Sequence, residues 1–447
     1  MPDRQLREAG IEPLPDTGYR MQAPAQTPDL RVMSLSCVYP NAEDPQLGVF
    51  VRSRLRHLAK SASVKVVAPI PEIDYARRRR GRRGIPRQEW DGPIEVFHPA
   101  WLYPPGGYSL NSILLFLRLL PLVSSIRKRY RFGIVDAHFA FPDGIVASLL
   151  ARAFGVPFAV TLRGNETMHA RYAQRRKLMA WSLRRASVVI ALSEELRQLA
   201  LSFGVESQRI RIIPNGVDGQ TFYPRERARC RQKHGILPGG KVFLSAGSLI
   251  ERKGHHRVIR AIAALRSTGL RADLIIAGGP GREGHYEEEL VKLAAGLGVQ
   301  EQVRFTGEVP PAILAELMSA ADVFCLASSR EGWPNVVHEA MACGIPVVAA
   351  RVGAVGEMIP SSDTTQSGAG ERGEFQDEAG AAPALYRSEY GFVVPPGDQG
   401  ALESALREAL AKDWDHRKIS DWALARTWDH VAEEFFEALR EQVGEQG

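Results

Sequence analysis

Residues 323–350 constrain the fold more than any other stretch. Val323 to Ala327 is an apolar run of strand length. Gly332 and Pro334 then break the chain. Proline is tolerated in the first turn of a helix, and Asn335 is the expected capping residue. From Asn335 a helix can run to Gly344, which suits a C-terminal stop. Ile345 to Ala350 reads as the next buried strand. An all-apolar strand, a helix and a second all-apolar strand form the repeating unit of a parallel α/β sheet.

The same alternation recurs along the chain. Arg31 to Val38 reads as a strand, Val49 to Lys60 as a helix and Val64 to Ala68 as a strand. Ile134 to Phe139, Phe158 to Leu162, Val188 to Ser193 and Ile210 to Ile213 continue the series, with a helix from Glu194 to Phe203. After a polar, Pro- and Gly-punctuated stretch the pattern restarts. Strands are expected at Val242 to Ala246 and Leu274 to Ala277, and a helix at Ala312 to Ala320. Helices Gln399 to Lys412 and Asp429 to Gln442 close the chain. A length of 447 residues fits two such domains. The expected division is an arm over 1–29, a first domain over 30–217, a linker over 218–240 and a second domain over 241–415. The last stretch, 416–447, is expected to pack back on the first domain through Trp422 and Trp428. Within the second domain, 361–386 is rich in Ser, Gly, Ala and acids and reads as a mobile insertion.

Composition narrows the class. The chain is 45% hydrophobic, ordinary for a folded soluble protein. Its four cysteines, Cys37, Cys230, Cys325 and Cys343, are widely spaced and imply neither a metal site nor a disulfide framework. No secretory signal is read in 1–29, and a cytoplasmic location follows as the expectation. Ile113 to Val123 is the longest apolar stretch; interrupted by Arg118 and Pro121, it reads as too short to span a bilayer. The net charge of +6 is concentrated at Arg77–Arg83 and Arg127–Arg131. Those clusters suit either solvated surface or a peripheral contact with anionic lipid on the inner face of the cytoplasmic membrane. Nucleic acid is not expected as a partner, because the basic loop carries no interleaved aromatics.

The chemistry concentrates at strand ends. Glu331 falls in a loop before a helix and Glu339 about two turns down it, roughly 12 Å away at 1.5 Å per residue. That is about the span of a nucleoside diphosphate-linked group. A helix N-terminus between two carboxylates suits an anion held by backbone N–H groups, with hydroxyls bonded at either end. Taken alone, the pair reads more readily as a dipole partner and a solvated helix residue than as a binding pair.

The stretch Glu331-Gly332-Trp333-Pro334-Asn335…Glu339-Ala340-Met341-Ala342…Gly344…Pro346-Val347-Val348 resembles the Glu-x7-Glu signature of retaining glycosyltransferases of family 4. The resemblance runs from about Arg31 to Glu441 and is strongest in the second half. It implies the GT-B fold, two Rossmann-like domains facing across a cleft, with the donor on the second domain. It also implies that Glu331 binds the donor sugar, Glu339 the ribose, and Gly332, Trp333, Pro334 and Asn335 the donor through backbone N–H groups. Gly247-Ser248-Leu249-Ile250-Glu251-Arg252-Lys253-Gly254 resembles the family's diphosphate loop. Lys253 and Gly254 fit it, Ser248 stands where Arg is expected, and Arg252 is a substitute. Gly278-Gly279 resembles the nucleotide-side loop, and Phe305, Gly307 and Val309 the segment whose backbone reads the base. On the acceptor side the resemblance marks Gly48, Arg163, Asn165 and Glu166. Arg163 replaces a family His, Glu166 stands one position beyond the usual acid, and the Gly48 loop is poorer in glycine than is common. His138 is carried as a catalytic residue beside Glu331 and Lys253.

The implied activity is metal-independent, retaining transfer of a hexosyl group from a UDP- or GDP-linked sugar to a glycan or lipid-linked acceptor, with no cofactor. Cell-surface polysaccharide or glycolipid synthesis is the implied setting. No Asp-x-Asp motif falls within the strand-end loops that carry the resemblance. The rival expectations are a nucleotide-sugar epimerase on the same fold and a GT-B binding protein without activity.

Overall fold

The computed structural model describes residues 30–72, 84–104, 107, 110–281, 284–360 and 385–444. The arm over 1–29, the Arg77–Arg83 cluster and nearly all of the expected insertion lie outside the described residues.

Two sheets carry the chain. The first contains β1 (Arg31–Leu35), β2 (Ser63–Val67), β3 (Gln88–Asp91), β4 (Ile94–Phe97), β5 (Ile134–His138), β6 (Phe158–Leu162), β7 (Val188–Ala191) and β8 (Ile210–Ile212). Its order is β8-β7-β6-β5-β1-β2-β4-β3, parallel except for the β3–β4 pair. The second contains β9 (Val242–Ala246), β10 (Asp273–Ala277), β11 (Val303–Gly307), β12 (Val323–Leu326), β13 (Val347–Ala350), β14 (Tyr386–Arg387) and β15 (Gly391–Val394). Its order is β11-β10-β9-β12-β13-β15-β14, and only the last pair is antiparallel. Central strands such as β12 are buried at every residue, which is why they read as unbroken apolar runs. Strand order reverses beside β1 in the first sheet and between β9 and β12 in the second. Ligands of open α/β sheets lie at the carboxyl ends of such switch points.

Eight helices matter for the site: α1 (Val49–Leu58), α2 (Leu110–Arg129), α3 (Glu194–Ser202), α4 (His255–Ser267), α5 (Asn335–Ala342), α6 (Val355–Met358), α7 (His416–Leu424) and α8 (Trp428–Gly444). Gly344 ends α5 in the left-handed region (φ 77°), and a Cβ there would stand 2.8 Å from the His416 carbonyl oxygen. At the other end of α5, Pro334 takes the capping position and Asn335 is the first helical residue, without a side-chain cap. The expected Asn335 cap is thereby corrected: its side-chain oxygen is engaged elsewhere, as described below.

α8 returns to the first domain. Trp428, Val431, Phe435 and Leu439 pack with Val51, Leu55 and Leu58 of α1 in one core. Each such side chain contributes roughly 1.5–3 kcal/mol on burial. α7 instead stays on the second domain, where His338 Nε2 meets the Ala423 carbonyl oxygen at 2.9 Å and Ser420 Oγ donates to Ala342 O at 2.9 Å. Trp422 therefore does not anchor the return; it is 41% exposed, its Nε1 donating to Met358 O. The stretch expected as a linker also differs. A helix over Arg227–Lys233 seats Arg231 against Asp322 at 2.8 Å, fixing it to the second domain.

α2 is a continuous 20-residue helix with Pro121 inside it, longer than the expected apolar stretch. By length and composition alone it is sufficient to cross a membrane. Its inner face, Leu115, Leu119, Val123 and Ile126, is nevertheless packed in the first domain's core.

Candidate active site

The loops that leave β9 and β12 flank the switch point of the second sheet. The β9 loop makes a tight turn over Glu251–Lys253 and ends at Gly254 in the left-handed region (φ 73°). A Cβ on Gly254 would lie 2.0 Å from the Ala327 carbonyl oxygen, so only glycine lets the two loops meet. Their side chains meet as well. Lys253 Nζ donates to Glu331 Oε1 at 2.7 Å, and Ser328 Oγ donates to the same oxygen at 2.8 Å. Arg252 Nη1 donates to the Arg330 carbonyl at 2.9 Å. Lys253 thus sits against the start of α4 with its charge balanced by Glu331.

The expected base-side loops form one ridge beside this pair. Gly247 N donates to Ala277 O, Leu249 N to Gly279 O and Gly278 N to Gly307 O, at 2.7–2.9 Å. A Cβ on Gly278 would stand 1.9 Å from Gly247 O, which explains the glycine there. Ser248, Phe305, Gly307 and Val309 lie half-buried along this ridge. Two turns down α5, Glu339 is half-buried. Burial, reinforced by the charge of Asp218, pushes its carboxyl up to about 7.

The first domain presses on this site directly. A Cβ on Gly332 would lie 2.1 Å from the Arg163 carbonyl oxygen, and one on Gly164 would lie 2.8 Å from Gly332 Cα. Trp333 packs against the apolar cores of both domains. Asn215 Nδ2 donates to Asn335 Oδ1 at 3.0 Å, and the Glu194 backbone N–H, at the start of α3, donates to Glu357 Oε1 on α6 at 2.8 Å. The domains are closed on one another. Between them a cavity of about 810 Å³ opens, lined on one side by Thr167, Arg171 and Glu195 and on the other by Arg252, His256 and Arg330.

The acceptor-side expectations fare unevenly. His138 has no exposed surface. Arg163 Nη2 donates to its Nδ1 at 2.9 Å; a guanidinium only donates, so the imidazole proton is on Nε2, 3.1 Å from Asp136 Oδ2. Burial holds this imidazole below its usual range despite Asp136. Both ring nitrogens of His138 face protein groups, so the expected catalytic histidine offers no open nitrogen in this closed arrangement. Arg163 is buried too: it donates to His138 and to Asn215, stacks over Phe50, and burial lowers it to about 10. Glu166 accepts from the N–H groups of Ala140, Arg163 and Gly164 at 2.7–3.1 Å, tying two loops together. Neither side chain is open to an acceptor in this closed arrangement. Gly48 (φ 66°) serves a close approach, since a Cβ there would stand 2.3 Å from Val38 O. Asn165 alone of this group is exposed.

Sequence reasoning missed Arg54 and Asn215. Arg54 is fully buried and donates to Ile213 O and Asn215 Oδ1. The available signal was its place among Val51, Leu55 and Leu58, a charge at core spacing on an amphipathic helix.

Comparison with known proteins agrees with this geometry. Residues 47–220 match the family model described as Glycosyltransferase Family 4, and 226–367 the one described as Glycosyl transferases group 1. The chain is 33% identical over 394 residues to a D-inositol 3-phosphate glycosyltransferase of Acidothermus cellulolyticus, covering 83% of each chain. It is 25% identical to a putative teichuronic acid biosynthesis glycosyltransferase, TuaC, of Bacillus subtilis, over 74% of this chain and 83% of that one. The fold is shared with Anabaena HepE, solved in complex with UDP, at a TM-score of 0.67 and 19% identity, over 92% of this chain and all of that one.

Proposed function

We propose that this chain, which belongs to glycosyltransferase family 4 and has the GT-B fold, transfers a hexosyl group from a UDP- or GDP-linked sugar with retention of configuration and without a metal. The observation that carries the reading is the Lys253–Glu331 pair, a cation and an acid 2.7 Å apart at the switch point and close to the start of α5. A diphosphate entering there would take the Lys253 charge and the N–H groups at the start of α5. Glu331 would then be released to accept hydrogen bonds from the sugar hydroxyls, and Glu339 to accept those of the ribose. Lys253, with Arg252 beside it and Ser248 at the head of the same loop, stabilises the charge that develops on the leaving phosphate.

In this reading the bond from the anomeric carbon to the phosphate oxygen breaks as a bond to an acceptor oxygen forms on the same face. The acceptor proton passes to the leaving phosphate, giving a glycoside and a nucleoside diphosphate. The acceptor is a glycan or a lipid-linked molecule. Support for that class comes from the teichuronic acid relative and from the surface of α2. Leu110, Ile113 and Leu117, at i, i+3 and i+7, are 53%, 49% and 58% exposed, an apolar outer face where a soluble helix would be polar. Lys128, Arg129 and Arg131 follow it, exposed. Such a helix suits peripheral contact with anionic lipid at the cytoplasmic face of a membrane.

The test is a panel of UDP- and GDP-sugars, screened first for thermal stabilisation and then for release of nucleoside diphosphate in EDTA. Turnover of one donor supports transfer. Stabilisation without turnover or with epimerised donor would assign a binding protein or an epimerase instead.

A further inference from the structure

At the contact between the domains, donors and acceptors can be matched in only one way. Asn215 is buried, just ahead of the crossing into the second domain. Its Oδ1 accepts from Arg54 Nη2 at 3.2 Å and from Arg163 Nη1 at 3.3 Å. Guanidinium groups have no acceptor, so the atom they face must be the amide oxygen, and the usual ambiguity of an asparagine flip is removed. The Asn215 amide nitrogen then necessarily faces the second domain, where it donates to Asn335 Oδ1 at 3.0 Å.

The orientation propagates. With its oxygen engaged, Asn335 turns its own amide nitrogen the other way, at the first residue of α5. That nitrogen has no partner among the described residues and is not one of the buried polar atoms left unpaired, so it faces solvent. Residues 215 and 335 belong to different domains, so the contact exists only in the closed arrangement.

We propose that Asn215 is a positioning residue for the donor: on closure it sets the Asn335 amide so that an N–H group, and not a carbonyl oxygen, faces the diphosphate. The inference rests on the donor site proposed above. Its physical basis is the sign of the contact. A diphosphate accepts from an amide N–H and is repelled by an amide oxygen, so a flipped Asn335 would oppose binding at the helix start. Arg54 and Arg163 act one step further back, since their charges hold the Asn215 oxygen away from Asn335.

Asn215→Asp tests the role. The carboxylate is the same size and suits the two guanidiniums, so the melting temperature is expected to hold. It offers no N–H to Asn335, which then turns its nitrogen toward the new carboxylate and its oxygen toward the cleft. Affinity for UDP and for GDP, measured by calorimetry, is expected to fall about tenfold for whichever binds the wild type, the scale of a lost hydrogen bond to a charged group. Asn335→Ala should lose a comparable factor. Asn215 acts only through Asn335, so the double variant should bind no more weakly than Asn335→Ala alone. Asn215→Ala in the same cycle covers the case in which the carboxylate variant does not fold. Additive losses, or a folded Asn215→Asp that binds like the wild type, overturn the positioning role alone. Absence of both UDP and GDP binding by the wild type overturns the donor site, and this role with it.

Discussion

Lys253 Nζ and Glu331 Oε1 stand 2.7 Å apart, although one leaves β9 and the other β12. Their side chains are only 17% and 10% exposed, so the pair is shielded enough to matter electrostatically. Each therefore holds the other in place. Lys253→Ala should lower the rate of glycosyl transfer by about 10²-fold or more, the usual cost of removing one transition-state donor. Glu331→Ala should leave binding of the bare nucleoside diphosphate nearly intact while abolishing transfer. Steady-state kinetics and calorimetry on both variants check this division, and equal losses of nucleotide affinity would contradict it. Wild-type turnover should persist in EDTA; strict dependence on a divalent metal would show that the leaving charge is handled otherwise.

Glu339 carries a pH signature. Its carboxyl ionises at about 7 in the folded protein against an ordinary value of 4.5, because burial and Asp218 both oppose the charge. The protonated form favours the fold, so this contribution is complete below about pH 4.5 and is lost as pH rises through about 7. Glu339→Gln cannot ionise, and its melting temperature relative to wild type should rise between pH 5 and pH 8. Nucleotide binding should show the opposite trend. A carboxylate accepts from ribose hydroxyls better than a neutral acid, so wild-type affinity should improve as pH rises through about 7. Glu339→Ala should cost about 1.5–3 kcal/mol in that affinity and flatten the pH profile. A flat wild-type profile would remove Glu339 from the ribose contact.

Gly332 makes closure sensitive to a single methyl group. A Cβ there would stand 2.1 Å from the Arg163 carbonyl, a backbone atom that cannot rotate away. Gly332→Ala should hold the domains apart without disturbing either core. Small-angle scattering should give a larger radius of gyration than wild type, and turnover should drop about 10²-fold, as expected when reacting groups are misplaced by about 1 Å. An unchanged radius with full activity would mean that the loops slide past one another at little cost.

The sequence disclosed what is local. The runs Val242–Ala246 and Phe158–Leu162 coincide with strands, and Lys253 and Glu331 fall on loops at a switch point because βα units put strand ends on one edge. What it could not disclose depends on the facing domain. Asn335 looked like a helix cap, but its oxygen belongs to Asn215, 120 residues away. His138 is carried as catalytic although a histidine that ends a strand is more often structural; such an imidazole can face the cleft or the sheet, and only packing decides. Glu166 looked like an acceptor ligand, yet three backbone N–H groups occupy it. Arg54 was legible in principle, since an arginine at core spacing must find carbonyl or amide oxygens inside.

The outer face of α2 leads to the last expectation. Leu110, Ile113 and Leu117 are apolar and about half exposed, and Lys128, Arg129 and Arg131 follow at the helix end. Each basic residue near an anionic leaflet contributes on the order of 1 kcal/mol, fading beyond a Debye length of about 10 Å at 0.1 M salt. Three such residues with an apolar stripe could hold the protein reversibly, and the Arg77–Arg83 cluster would add to them. Sedimentation with vesicles should therefore show binding to anionic lipid, little to neutral lipid, and release as salt rises. Changing Leu110, Ile113 and Leu117 to Ser should weaken binding without lowering the melting temperature, because those side chains already face water. Changing Arg77 to Arg80 to Ser should weaken it further and reduce the salt dependence. Protein that stays in the supernatant with anionic vesicles at low salt would remove the membrane from the reading. The acceptor should then be sought among soluble molecules, and the apolar face of α2 would need another partner.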